Sequence, residues 1–133
     1  MYRYSWTEFG SDFKKITKRL RGSAWKFTSI YCASPGGMPL AVCLSIYLGI
    51  PIQKDPPSDQ NKKHELVYDS ELLVVDDVAN TGLTLGALHL AGFFIVTLFR
   101  NPEGNVTPNI YMHDKDTRYI LFPWQSEKAK VKA

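Results

Sequence analysis

An α/β fold, with a central, mostly parallel sheet flanked by helices, is predicted by three observations. Leu72 to Val75 and Phe93 to Phe99 are largely apolar without alternation, as strands covered on both faces are. Segments with helical character fall between such runs rather than after them, the order of a βαβ chain. Polar or small-residue loops follow the predicted strand ends at Ala33, Val75 and Phe99, where open sheets bind ligands.

Thr7 to Leu20 carries Phe9, Phe13, Ile16 and Leu20 as one helical stripe, with Ser5 or Thr7 as the cap and Gly22 as the stop. Lys14, Lys15, Lys18, Arg19 and Arg21 make its wet face; a nucleic-acid role for them rests on charge alone. Phe27 to Ala33 predicts a strand ending in Ser34-Pro35-Gly36-Gly37, a turn that continues neither strand nor helix. Met38 to Leu48 reads as a helix, and Ile50 and Ile52 open a short strand. Lys54 to Glu65 is charged and twice broken by proline, a mobile loop that serves either as a plain connector or as a lid. Leu72 to Val75 is the central strand, Thr84 to Ala91 a helix closed by Gly92, and Phe93 to Phe99 a further strand. Ile110 to His113 and Arg118 to Phe122 predict short strands ending at Pro123-Trp124.

With 133 residues and ordinary hydrophobic and charged fractions, residues 1–133 are expected to form one domain, with 126–133 a flexible basic tail. Lys128, Lys130 and Lys132 in that tail account for much of the net charge of +3. Cys32 and Cys43 make neither a disulfide framework nor a metal spacing, and His64, His89 and His113 are scattered as structural or surface residues. No apolar stretch approaches membrane-spanning length, and the early Arg3, Trp6 and Glu8 break up any signal-peptide core. A reducing cytoplasm is the expected compartment.

Chemistry concentrates in Val74-Val75-Asp76-Asp77-Val78-Ala79-Asn80-Thr81-Gly82-Leu83-Thr84. Two acids directly after a buried strand are costly unless they bind something. Thr81, Gly82 and Thr84 then bring hydroxyls and an unhindered backbone to a helix start, which holds phosphate through N–H donors and the helix dipole. Asp, Asn and Thr also cap helices well, so this window alone leaves a purely structural reading open.

This segment resembles the phosphoribosyl-pyrophosphate (PRPP) signature of the type I phosphoribosyltransferases. Ser34-Pro35-Gly36-Gly37-Met38-Pro39-Leu40-Ala41 resembles their pyrophosphate loop. Ser5-Trp6-Thr7 and Tyr119-Ile120-Leu121-Phe122-Pro123-Trp124 resemble the N-terminus and the base-stacking closing segment of the xanthine/hypoxanthine-guanine branch. The resemblance spans nearly the whole chain. It implies the type I fold with a small C-terminal hood, and transfer of 5-phosphoribosyl from PRPP to a nucleobase, a purine above all, with Mg²⁺ and release of pyrophosphate. The role implied is nucleotide salvage, in a homodimer or homotetramer.

Residue by residue, the resemblance gives Asp76 and Asp77 the ribose hydroxyls and the metal, which carboxylate oxygens suit. Together with Val78, they lead into Ala79, Asn80, Thr81, Gly82, Leu83 and Thr84, which cradle the 5′-phosphate. Ser34, Pro35, Gly36 and Gly37 meet the pyrophosphate, Tyr119 stacks on the base and Ile120 offers backbone groups to its edge. Asp76, Asp77 and Asn80 are the catalytic candidates.

Departures from the branch bear on activity. Pro35 replaces an arginine and offers neither charge nor donor; because cis is cheap before proline, a cis Ser34–Pro35 bond is expected there. Asn80 stands where the branch has an aspartate facing purine N7, and an amide takes no proton at ordinary pH. In Thr97-Leu98-Phe99-Arg100-Asn101-Pro102-Glu103-Gly104, Asn101 replaces the lysine that recognises the 6-oxo group, with Arg100 beside it as a substitute cation if it turns inward. The segment Lys54 to Glu65 is shorter than the family's lid. Two function classes therefore stand: an enzyme with altered base recognition, or a regulatory module that keeps the PRPP or nucleotide pocket with weak or no catalysis.

Overall fold

A computed structural model describes residues 1–58, 65–80 and 82–127. Its centre is a four-stranded sheet in the order β3-β2-β4-β6, formed by Ile52–Gln53 (β3), Ser29–Cys32 (β2), Leu72–Val75 (β4) and Phe94–Val96 (β6). Every pairing is parallel, with Ile30 opposite both Ile52 and Leu73, and Val74 opposite Ile95. All four residues of β4 are buried because successive side chains enter different cores. Leu73 and Val75 join Ile16, Leu20, Leu40 and Leu44, whereas Leu72 and Val74 join Leu85, Leu88 and Val106. The unbroken apolar run thus reflects a strand with helices on both sides.

Helix α1 (Trp6–Arg21) begins at Ser5, whose hydroxyl accepts from Glu8 N at 3.1 Å while the Glu8 carboxylate accepts from Ser5 N at 3.2 Å, a reciprocal capping box. Helix α2 (Met38–Leu48) ends at Gly49, which takes φ 69°, a left-handed cap natural to glycine. Helix α3 (Leu83–Leu90) is followed by Gly92 at φ 90°. Each helix start lies within one residue of its expected position.

The expected strand Phe93 to Phe99 is divided. After β6 the chain bends at Thr97, whose hydroxyl donates to Phe99 O at 2.8 Å. Phe99–Arg100 (β7) then leaves the main sheet and pairs in parallel with Val78–Ala79 (β5) and His113–Asp114 (β8). Leu98 N and Phe99 N both donate to Asp77 O at 3.0 Å, so this bend also pins the backbone of the acid pair. Ile110 makes a single parallel bridge to Val96 instead of opening a strand. Ile120–Leu121 (β9) pairs in parallel with Tyr2–Arg3 (β1), so the hood is built from both ends of the chain.

The tip of the expected loop, 59–64, lies outside the described residues, as do His64, Thr81 and 128–133. The flanks of that loop are joined by an antiparallel bridge between Ser58 and Leu66. At the expected tail, Glu127 forms an ion pair with Arg3. No helix among the described residues is long and apolar enough to cross a membrane.

Candidate functional site

Strands β2 and β4 end side by side, with Cys32 opposite Val75, so the loops that follow them meet. Ser34 Oγ donates to Asp76 Oδ1 at 2.5 Å, and Asp77 N donates to the same oxygen at 2.9 Å. Asp76 is 7 % exposed, and these two donors offset part of the cost of burying its carboxylate. Asp77 Oδ1 accepts from Val78 N at 2.8 Å. Burial, then repulsion from Asp76, pushes the Asp77 carboxyl up to about 7.

The two glycines of the loop are needed for this approach. A Cβ on Gly36 would collide with Asp77 Oδ2, and one on Gly37 would stand 2.7 Å from Asp76 Cα. The expected cis bond at Ser34–Pro35 is absent: the bond is trans. Pro35 instead opens a 3-10 turn, Pro35–Gly37, in which Gly37 N donates to Ser34 O at 3.1 Å; the fixed φ of proline suits that first position. Cys32 donates its thiol to Ser34 O at 2.9 Å, and burial pushes that thiol up to about 11, which keeps it from acting as a nucleophile.

Ser34, Asp76, Asn80, Gly82, Leu83 and Thr84 line one cavity of about 200 Å³. Helix α3 enters it with no side-chain cap, so its first-turn N–H groups remain available to an anion. Thr81 of the same expected loop lies outside the described residues. A second, open cavity of about 360 Å³ adjoins the first through Val78 and Asn80, and is lined by Asp77, Tyr119, Ile120 and Lys115. The ladder to β1 uses the carbonyls of Tyr119 and Leu121; alternation along a strand turns the N–H and C=O of Ile120 to the opposite edge.

Two expected base contacts behave differently. Arg100 does not turn inward: its guanidinium pairs with Asp114 Oδ1 at 2.9 Å and lies 4.5 Å over the ring of Tyr111. Asn101 donates from Nδ2 to Asn80 Oδ1 at 2.8 Å, so the two substituted positions are bonded to each other. The cation at the second cavity is Lys115, whose ammonium donates to Asp116 O and Arg118 O, each at 3.0 Å. Its only sequence signal was a lysine inside an Asp-rich turn four residues before Tyr119.

His113 fits the structural one of its two expected roles, since its Nε2 lies 2.7 Å from Oδ2 of the buried Asp12, which accepts from Tyr4 Oη at 2.6 Å. Among the described residues no three His, Cys, Asp or Glu gather as a metal cage.

No protein-family model matches the chain. Among solved structures, the purine phosphoribosyltransferase of Pyrococcus horikoshii superposes with a TM-score of 0.74 at 26 % identity, over 94 % of each chain. The xanthine-guanine-hypoxanthine phosphoribosyltransferase of Helicobacter pylori gives 0.73 at 19 % identity, over 98 % of this chain and 97 % of that one. A hypothetical protein of Neisseria gonorrhoeae with bound ppGpp gives 0.62 at 18 % identity, over 98 % of this chain and 93 % of that one. The chain thus has the fold of the type I phosphoribosyltransferases, and the solved structures it superposes on include purine enzymes of that fold.

Proposed function

We propose that the chain binds PRPP and a purine, and transfers the 5-phosphoribosyl group to the purine with release of pyrophosphate. The observation that carries this reading is the pair of adjoining cavities, one lined by Ser34, Asp76 and the α3 start, the other by Tyr119 and Ile120, with Asn80 common to both. A sugar between them has its 5′-phosphate against the α3 amides, its hydroxyls against Asp76 and Asp77, and its departing pyrophosphate against the Ser34–Gly37 turn. Transfer of this kind develops positive charge on the ribose, which the two carboxylates stabilise.

The donors present suit Mg²⁺. Asp76 and Asp77 offer hard oxygens, too few for a closed protein cage, as expected of an ion that keeps waters and shares substrate phosphates. The upward push on Asp77 by Asp76 is the repulsion a divalent cation would relieve. When bound, the ion would neutralise the leaving pyrophosphate. Met38, Val42 and Ile46 form an exposed apolar row on α2, at the i, i+4 spacing of one helix face, which supports a homo-oligomer.

Incubation with PRPP, Mg²⁺ and a panel of purine bases should release pyrophosphate, with Asp76→Ala abolishing saturable PRPP binding in calorimetry. Unchanged PRPP binding in that variant would refute the pocket. A second reading, a nucleotide-binding regulatory module, is favoured by the Asn80–Asn101 bond, because an amide rather than a carboxylate stands at position 80. Saturable PRPP binding without pyrophosphate release from any base would select it.

A further inference from the structure

The orientation of the Asn80 amide is fixed by a backbone group two hydrogen bonds away. Glu103 N donates to Asn101 Oδ1 at 3.0 Å. A backbone N–H is only ever a donor, so the Asn101 side chain must present oxygen to it and is left with Nδ2 for its other neighbour. Nδ2 of Asn101 donates to Asn80 Oδ1 at 2.8 Å, which in turn leaves Asn80 its own Nδ2, two N–H donors, for the cavity it lines with Tyr119 and Ile120. Lys115, lining the same cavity, is likewise donor-only. At Asn80 and Lys115 the pocket therefore presents donors, where a carboxylate at position 80 would present an acceptor; the Asp77 carboxyl, also on its lining, is the group assigned to the ribose hydroxyls.

Purine chemistry turns this polarity into a choice. A free 6-oxopurine attacks a sugar through N9 when its imidazole proton sits on N7, and an N7–H needs an acceptor opposite it. Once N9 carries a sugar, N7 is a bare lone pair and needs a donor. A 6-oxo group next to N7 is another acceptor and suits Lys115, whereas a 6-amino group does not. Resting on the reading of this cavity as the base site, we propose that the Glu103–Asn101–Asn80 relay makes it a receptor for an N9-substituted 6-oxopurine, that is, a purine nucleoside 5′-monophosphate, held in preference to the free base. Asn80 is the contacting residue and Asn101 a positioning residue.

Calorimetry with inosine 5′-monophosphate and its 7-deaza analogue, which has C–H in place of N7, tests the relay on the unaltered chain. The monophosphate is expected to bind about tenfold more tightly, the worth of one hydrogen bond to a desolvated acceptor. Asn101→Asp still accepts from Glu103 N but has no donor for Asn80, so the Asn80 amide turns and offers Oδ1 to the cavity. That variant should lose about tenfold for the monophosphate and no longer discriminate between it and the 7-deaza analogue. Equal binding of the two nucleotides by the unaltered chain, or a preference that survives Asn101→Asp, overturns the relay while PRPP binding keeps the pocket. If neither PRPP nor nucleotide binds saturably, the pocket itself falls and the relay with it.

Discussion

Asp77 is a residue whose ligand-free state is unfavourable by design of its surroundings. Burial and the neighbouring Asp76 push its carboxyl from the ordinary 3.8 to about 7. An acid whose folded pKa is raised takes up a proton on folding, so its contribution to stability is fully present below about pH 4. That contribution is lost as pH rises through 7. The metal-free chain, held in chelator, should therefore melt lower at pH 8 than at pH 5. Asp77→Asn keeps an acceptor for Val78 N without the charge, and should raise the pH 8 melting temperature by about 3–6 °C while flattening the pH dependence. A scanning-fluorimetry series showing no gain at pH 8 would contradict the repulsion. Single-residue chemistry of this kind was legible in the sequence because two acids after four buried apolar residues are expensive wherever they occur. Lys115 was not legible, because its place at the cavity comes from the turn that folds it back on the carbonyls of Asp116 and Arg118. Nor was the outward course of Arg100, which follows from Asp114 on a neighbouring strand.

At the scale of elements, the 3-10 turn Pro35–Gly37 and the end of β4 behave as one unit, held by the Ser34–Asp76 bond. The contact of Gly37 is with Asp76 Cα rather than with a mobile side-chain tip, so an added methyl displaces backbone. Gly37→Ala is expected to cost about 1–3 kcal/mol of stability and to weaken PRPP binding at least tenfold. Urea unfolding and calorimetry measure the two effects, and wild-type affinity in that variant would detach the turn from the pyrophosphate role. The long elements were readable from pattern: α2 spans the expected residues, and β4 coincides with its apolar run. Two-residue strands carry no period to read. β1, β5, β7 and β8 exist because partners far along the chain supply the other half of each ladder, as Val78–Ala79 does for Phe99–Arg100. The split of the Phe93 to Phe99 run has the same origin, since Asp77 O captures Leu98 N and Phe99 N.

Across the whole molecule, three distant segments are braced by one buried carboxylate. Asp12 on α1 accepts from Tyr4 Oη at 2.6 Å beside β1 and lies 2.7 Å from His113 Nε2 on β8. Tyr4 also packs edge-on against Phe99 and Phe122, and β1 carries β9 through Tyr2 and Arg3. The brace thereby sets where Tyr119 and Ile120 stand, although neither touches Asp12. Asp12→Ala leaves the buried Tyr4 hydroxyl without its acceptor and removes the partner of His113. Hydrogen bonds to a charged group are worth about 1.5–3 kcal/mol each, so a loss of about 3 kcal/mol and a melting temperature lower by about 10 °C are expected. The ligand effects should divide along the fold. In the proposed pocket PRPP would contact the ends of β2 and β4 and the start of α3, which do not depend on the hood, so its affinity should hold below the melting transition. Nucleotide affinity should fall several-fold, because the proposed base site is lined by Tyr119 and Ile120 at β9. Equal losses for both ligands would mean that Asp12 supports the molecule uniformly. Loss confined to the nucleotide, with Asp12→Asn restoring part of it by keeping an acceptor for Tyr4 Oη, would locate the effect in the hood.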